Sequence, residues 1–322
     1  MKKFLFALFV VAAAAVLIAP AYATELWDPH LRGTDEGLAA GALPPPGVYF
    51  INNSYFAPSY HSYGVLHGTL NTAPSGHSNA NVSLFAYVDV PVLLWVPGCK
   101  FLGADYAMGI AEPFDYTNLR VGSRADGVWL GTAQWGMYNT VLVPYVLSWK
   151  LPCDFFVSTG LNIFLNDGTS NPATADTLGP AASLGAAAES SNGYYTFEPT
   201  VGISWLHNGW NVSASFHYAF NLKDSGTDYT SGQQFAADYT VTKTCGKWTL
   251  GVGVAEETQT TSDSIAGNSI ADSKANAWTI GPIVGYNFGP CSLQFIYNFP
   301  LYVNNDVGGE WFDVRFVVPL WK

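Results

Sequence analysis

Apolar and polar residues alternate strictly over residues 210–222 of this chain. Every second residue from Trp210 onward is apolar, and the residues between them are small or polar. Side chains on a β-strand point to opposite faces with period 2, so this pattern predicts a strand with one apolar and one polar face. The pattern recurs along the chain about a dozen times, which is typical of an outer-membrane β-barrel.

The N-terminus has the three parts of a secretory signal peptide. Lys2 and Lys3 are followed by an apolar run through Ile18, and residues 21–23 form an Ala-Tyr-Ala cleavage site. We expect cleavage after Ala23 and export towards the bacterial outer membrane. Beyond that site no stretch approaches the roughly 18 continuous apolar residues of a transmembrane helix. A membrane-spanning form must then be a closed barrel, because only helices and barrels satisfy all backbone hydrogen bonds in lipid.

The composition fits that prediction and excludes one class of partner. Charged residues make up 11% of the chain, against about 25% in soluble domains, and aromatic residues make up 15%. Few charges and many aromatic side chains suit a lipid-facing band with aromatic girdles. The net charge of −11 argues against a nucleic-acid partner.

Twelve strands are predicted from the alternation. They cover residues 47–56, 82–95, 101–110, 140–150, 154–165, 194–206, 210–222, 234–243, 247–256, 277–288, 292–301 and 311–321. The segment Val128–Met137 is left open as a wall strand, a loop strand or a constriction.

The connections between these strands alternate in length. Tight turns are expected near 97–99, 152–153, 207–209, 245–246 and 289–291, and long polar segments near 57–81, 111–139, 166–193, 223–232, 258–276 and 303–309. Five short and six long connections are what twelve strands require when both termini are periplasmic. The fold class is therefore all-β, an antiparallel transmembrane β-barrel over residues 47–322 with short periplasmic turns and long outer loops. Six tryptophans beside the short turns or the chain end would form an interfacial belt: Trp95, Trp149, Trp205, Trp210, Trp248 and Trp321.

Four cysteines follow the cleavage site, one in each of four predicted tight turns. Disulfides form in the oxidising periplasm, and neighbouring turns suggest the pairs Cys99–Cys153 and Cys245–Cys291. Four cysteines allow three pairings, and bridges to other molecules are an alternative. A zinc site built from all four lacks the usual C-x-x-C spacing.

Catalytic and nucleotide-binding motifs are not found in the sequence, so we expect neither an enzyme nor a cofactor. A metal site in the loop containing His61, His67 and His77 is less favoured than solvated histidines, and none is predicted. Charged or titratable residues on predicted inward faces are more informative, because charge is tolerated only away from lipid. They form either a structural network or a polar path through the lumen: Asp89, Asp105, Glu198, His217, Asp238, Lys247, Asp313 and Arg315.

Short motifs along the chain carry a family resemblance. They are E-G-x-x-x-G at residues 36–41 with P-P-G-V-Y at 45–49, Y-T-F-E-P at 195–199, D-Y-T-S-G-Q-Q-F at 228–235, W-T-L-G-V-G at 248–253 and I-G-P at 280–282. In order and spacing they resemble the SphA-like outer-membrane transporter family associated with the meta-pathway of phenol degradation. The resemblance covers most of residues 36–321, and the four turn cysteines are not part of it. It implies a channel for small hydrophobic or aromatic compounds.

These observations lead to one functional expectation with two alternatives. The expected protein is a monomeric barrel that passes a small hydrophobic or aromatic solute by diffusion, surrounded by outer-membrane lipids and inserted by the barrel-assembly machinery. Residues 24–46 would enter the lumen as a plug, with Pro44–Pro46 stiffening the entry because proline fixes φ. The alternatives are a closed, disulfide-stapled structural barrel and a general porin.

Overall fold

The computed structural model describes residues 27–63, 81–123, 128–169, 190–224 and 228–321. The predicted signal peptide and its cleavage site lie outside the described residues, as do His67, His77 and parts of four predicted long loops. Among the described residues, no helix has the length and apolar character needed to span a membrane.

Nineteen strands and one short 3₁₀ turn, Pro152–Asp154, make up the regular structure of the described residues. The strands are β1 (Gly47–Tyr63), β2 (Asn81–Val96), β3 (Lys100–Phe101), β4 (Ala104–Ala111), β5 (Phe114–Ser123), β6 (Val128–Met137), β7 (Val141–Lys150), β8 (Phe155–Phe164), β9 (Thr196–His207), β10 (Trp210–Asn221), β11 (Tyr229–Thr230), β12 (Gln234–Cys245), β13 (Trp248–Gln259), β14 (Ser264–Ile265), β15 (Asn268–Ser269), β16 (Asn276–Asn287), β17 (Ser292–Asn304), β18 (Asp306–Gly308) and β19 (Trp311–Trp321).

Twelve of these strands close into an antiparallel barrel. The ring runs β1, β19, β17, β16, β13, β12, β10, β9, β8, β7, β4, β2 and returns to β1. Closure depends on β1, which pairs with β19 from Val48↔Trp321 to Phe56↔Phe312 and with β2 from Gly47↔Val96 onward. The twelve predicted strands are confirmed; β1 continues seven residues into the predicted first loop, to Tyr63, and the other ends shift by at most three residues.

The five short connections fall where the sequence predicts them. The β9–β10 hairpin turns on Asn208 and Gly209, both with positive φ (48° and 78°), the conformation of a two-residue turn that matches strand twist. At the other end of the barrel, within the longer connections, β11, β14 and β15 form a separate three-stranded sheet.

One predicted loop, residues 111–139, is mostly strand. Residues 81–89 of β2 pair with β5, and residues 92–95 pair with β4. The strands β4 and β5 are therefore two halves of one wall strand, which is interrupted at Glu112 and Pro113. Proline lacks the N–H that a ladder needs, which accounts for the break. Val128–Met137, left open above, pairs with β5 along its whole length and extends the wall as a hairpin.

The two faces of the wall have the reverse of a soluble protein's polarity. On β10 the residues Ser213, Ser215 and His217 are buried, whereas Val212 and Phe220 are 40% and 48% exposed. Leu250 on β13 is 56% exposed. Burying such a side chain in lipid stabilises the barrel by about 1.5–3 kcal/mol each, so the outer face needs a bilayer around it. Four of the six tryptophans of the predicted belt are exposed, beside the short turns or at the chain end: Trp95, Trp210, Trp248 and Trp321.

The predicted disulfide pairs Cys99–Cys153 and Cys245–Cys291 are wrong. All four cysteines are free thiols in the structure. Cys99 lies in the turn between β2 and β4, and Cys153 lies in the turn between β7 and β8, so their turns are centred two strands apart. Two strand spacings are about 10 Å, beyond the roughly 7 Å between Cα atoms that a disulfide tolerates. The same separation holds for Cys245, at the β12–β13 turn, and Cys291, at the β16–β17 turn.

Candidate functional site

Residues 27–46 lie inside the barrel rather than beside it. The segment is a series of tight turns, with Thr34, Glu36 and Leu38 each donating a backbone hydrogen bond to the carbonyl three residues earlier. Its free amides then bond to the wall: Gly33 and Asp35 donate to the carboxylate of Asp238 on β12, at 3.0 and 2.8 Å. The segment therefore satisfies its backbone with inward side chains of the strands around it.

A close backbone contact holds the middle of the segment against β8 and β9. Ser158 donates to the Ala40 carbonyl at 2.8 Å, and the Gly41 amide donates to Ser204 at 2.8 Å. A Cβ at Gly202 would stand 2.1 Å from the Ala40 oxygen, so only glycine permits this approach.

Arg315 on β19 ties the segment to the opposite wall. This guanidinium is completely buried and donates to the carbonyls of Thr34, at 2.6 Å, and of Glu36. It also donates to Asn53 at 2.6 Å, and its Nη2 lies 3.6 Å from the Asp313 carboxylate. Planar, multidentate donation of this kind is specific to arginine.

Arg32 forms a second anchor near the start of the segment. Its guanidinium lies 3.2 Å from the Glu257 carboxylate on β13 and 3.1 Å from the Asp306 carboxylate on β18. Charged side chains of the segment thus pair with charges of the wall on more than one side of the lumen.

The two acidic neighbours in the segment differ in charge state. Burial and the charge of Asp238 raise the pKa of Glu36 to about 9, although Asn298 donates to it at 2.7 Å. Burial also opposes ionisation of Asp35, but hydrogen bonds from His217 and Ser215 outweigh it and hold the pKa of Asp35 well below its usual range. Glu36 is therefore protonated at neutral pH and Asp35 is ionised.

A cluster of imidazoles and carboxylates joins the segment to β9 and β10. His217 lies between Glu198, with Nδ1 2.9 Å from Oε1, and Asp35, with Nε2 3.1 Å from Oδ2. His30 stacks on His217 with ring centroids 4.0 Å apart. Glu198, His217 and His30 are all buried.

Beside this cluster is a cavity of about 230 Å³ inside the barrel. Its polar lining residues come from both the segment and the wall: Asp28, His30, Thr34, Asp35, Asn53, Asp115, Asn162, Glu198 and His217. The rest is mainly aliphatic and aromatic, and these residues include Trp27, Leu31, Val88, Val90, Val92, Tyr138, Val141, Val143 and Phe164. Ala111 and Pro113, at the break between β4 and β5, also line it. A mostly apolar cavity with a few converging polar groups is the usual form of a small-molecule site.

Five of the eight predicted inward residues are brought together around the segment. Glu198, His217, Asp238, Asp313 and Arg315 are all buried in the lumen. The N-terminal partners His30, Arg32, Asp35 and Glu36 were missed as site residues, although their density of charge just after the cleavage site was a visible signal.

The other three predicted inward residues do not line the lumen. Asp89 lies on the outer face of β2, where it accepts hydrogen bonds from Asn52 and Ser54. The prediction failed because the inner face of β2 is itself apolar: Leu84, Ala86 and Val88 belong to a core that packs against Trp27 and Leu31.

Asp105 and Lys247 sit at the rim of the barrel. Asp105 is exposed and forms an ion pair with Lys100 at 2.8 Å. Lys247 is exposed in the β12–β13 turn, because β13 begins one residue later than predicted. Residues beside a tight turn project into solvent, whichever face of the strand the alternation assigns to them.

A closed twelve-strand barrel with an apolar exterior and a folded segment in its lumen defines an outer-membrane β-barrel protein. It superposes on the COG4313 outer membrane channel from Pseudomonas putida F1 with a TM-score of 0.65 and 13% identity, covering 87% of this chain and 97% of that one. The β domain of the Bordetella autotransporter BrkA gives a TM-score of 0.45 at 9% identity, covering 85% of this chain and 100% of that one. No curated protein matches the sequence.

The chain belongs to the family described as "Putative MetA-pathway of phenol degradation", whose model matches residues 68–316. The family resemblance in the sequence is thereby confirmed.

Proposed function

We propose that this protein is an outer-membrane channel for passive uptake of small hydrophobic or aromatic compounds. The observation that carries the proposal is the cavity of about 230 Å³, with its mainly apolar lining, inside a barrel of this family. Sites for drug-sized ligands measure roughly 300–1,000 Å³, so this cavity suits a smaller solute such as a single substituted ring.

Two of the polar groups that line the cavity would orient a hydroxylated or carboxylated ring. The Asn162 amide and the His217 imidazole border the space, and both already bond to Glu198. A hydroxyl group could exchange into these hydrogen bonds while the ring packs on Val90 and Phe164. A sugar would leave most of its hydroxyl groups against aliphatic side chains, which costs free energy for each unpaired group.

The proposal includes the cellular setting. The chain would be exported by residues 1–23, cleaved after Ala23, inserted by the barrel-assembly machinery and surrounded by outer-membrane lipids. The apolar outer face and the tryptophans at the rim support this placement.

Uptake into liposomes tests the proposal. Phenol and benzoate would be compared with arabinose, using purified protein refolded into vesicles. We expect aromatic uptake to exceed sugar uptake, and we expect Val90→Phe, which fills the cavity, to reduce it. The matched control is Val201→Phe on β9, where the side chain is 43% exposed on the outer face and should leave uptake unchanged.

Two outcomes would contradict the proposal. Entry governed by solute size alone would indicate a general porin, and a lack of entry for any solute would indicate a structural barrel.

A further inference from the structure

Three potential metal ligands converge where the N-terminal segment meets the wall. His30 comes from the segment, Glu198 from β9 and His217 from β10, and all three are buried. One ligand atom from each lies within 4.8 Å of the others. The Oε1 atom of Glu198 is 2.9 Å from Nδ1 of His217 and 3.9 Å from Nδ1 of His30.

These two distances lie on either side of the separation expected between two ligand atoms of a tetrahedral metal centre. Zinc binds imidazole nitrogen and carboxylate oxygen at about 2.0–2.2 Å, so tetrahedral ligand atoms lie about 3.3 Å apart. The Glu198–His217 pair would open by a few tenths of an ångström, and His30 would move closer by about half an ångström.

The second nitrogen of each imidazole already faces a carboxylate. Nε2 of His217 is 3.1 Å from Oδ2 of Asp35, and Nε2 of His30 is 3.4 Å from Oδ2 of Asp238. A histidine that binds a metal usually donates its other N–H to a carboxylate or carbonyl, which fixes the tautomer and the ring orientation. Both histidines of this cluster have that arrangement, with the Nδ1 atoms directed towards Glu198.

Glu198 supplies an independent observation. The side chain is completely buried, and its Oε2 atom has no hydrogen-bond partner among the described residues, whereas Oε1 accepts from Asn162 at 2.8 Å. Burying a carboxylate oxygen without a partner is unfavourable, and a cation that binds both oxygens of Glu198 would remove the cost.

We propose that His30, Glu198 and His217 bind one divalent transition-metal ion, with Zn²⁺ as the best match to two imidazoles and one carboxylate. Asp35 and Asp238 orient the two histidines. The fourth coordination position faces the cavity, because all three ligands also line it. The ion joins the N-terminal segment to the wall, since one ligand comes from the segment and two from the barrel. This inference does not depend on the proposed transport function.

Zinc binding to the whole refolded barrel tests the inference. The protein, purified without a histidine tag and treated with EDTA, would be titrated with Zn²⁺ by calorimetry, and bound metal would be counted by mass spectrometry. We expect one Zn²⁺ per chain. We expect at least a 100-fold weaker affinity in His30→Gln, and a 10- to 100-fold weaker affinity in Asp238→Asn, which acts through His30.

The matched control is His207→Gln. His207 is an exposed histidine paired with Asp154 at the rim, and its substitution should leave zinc binding unchanged. His30→Gln alters only the segment, so the barrel should still fold, which heat-modifiable gel mobility would verify. Zinc should also raise the Tm of the wild type but not that of His30→Gln.

The inference is overturned if the wild type takes up no stoichiometric zinc, or if His207→Gln lowers uptake as much as His30→Gln does. A failure of solute uptake in liposomes would leave these results unaffected, so the two proposals can fail separately.

Discussion

Replacing Arg315 with methionine should release the N-terminal segment from the lumen. The substitution keeps an unbranched apolar stem but removes the donors to the carbonyls of Thr34 and Glu36. Each buried acceptor left without a partner costs about 1–3 kcal/mol. Asp313, 3.6 Å away and completely buried, also loses its counter-ion, and breaking a buried pair costs about 3–5 kcal/mol.

These costs overlap because the groups belong to one network. We take about 4 kcal/mol for the total destabilisation of the docked segment relative to the released one. At about 1.4 kcal/mol per factor of ten, the ratio of released to docked segment should rise about a thousandfold.

Limited proteolysis measures this ratio. Trypsin cleaves after arginine, and Arg32 is held in the docked segment by Glu257 and Asp306. When opening is fast relative to cleavage, the rate follows the released population. We therefore expect Arg315→Met to cleave after Arg32 far faster than wild type. Arg315→Lys should fall between them, because lysine keeps the charge but not the planar fork.

The control is Arg120→Met, which removes an exposed arginine of β5. The reasoning is refuted if Arg315→Met folds, as judged by heat-modifiable mobility, and Arg32 is still cleaved no faster than in Arg120→Met.

Further predictions concern the segment, its pH dependence and the thiols. Deleting residues 24–43 should raise conductance in planar bilayers because the lumen empties, and unchanged conductance would show that the segment does not obstruct the path. Gly202→Val should also expose Arg32 to trypsin, because any Cβ there meets the Ala40 oxygen; equal protection of wild type and variant would contradict the close approach. The pKa of Glu36 is raised to about 9, against an ordinary value of 4.5. Between these two pH values the docked segment holds a proton that the released segment loses. Docking should therefore weaken as the pH rises from 4.5 to 9 and then level off. Glu36→Gln should remove that part of the slope in a proteolysis series across pH, and an unchanged slope would assign it to other groups. All four cysteines should react with maleimide in the folded, unreduced barrel, and a count of fewer than four by mass spectrometry would indicate bridges after all.

The strands of the barrel wall could be predicted from the sequence because the alternation of apolar and polar residues that forms them is a local pattern. Alternation places apolar side chains in lipid and polar ones inside the barrel. Strands such as Trp210–Asn221 and Thr196–His207 can therefore be recognised from their own residues. Tight turns such as Asn208–Gly209 are equally local.

The candidate site was partly predictable for the same reason. Parity assigned Glu198, His217, Asp238, Asp313 and Arg315 to the inner face, and the structure places them there. Parity failed for Asp89, because β2 carries apolar residues on both faces.

Long-range contacts account for the rest. The segment at residues 27–46 has no periodicity, and its position depends on contacts about 200 positions away, such as Gly33 with Asp238. The pairing of His30 with His217 likewise arises only when the barrel closes around the segment. Alternation specifies the face of a strand on which a residue lies; closure of the barrel specifies which residues share its interior.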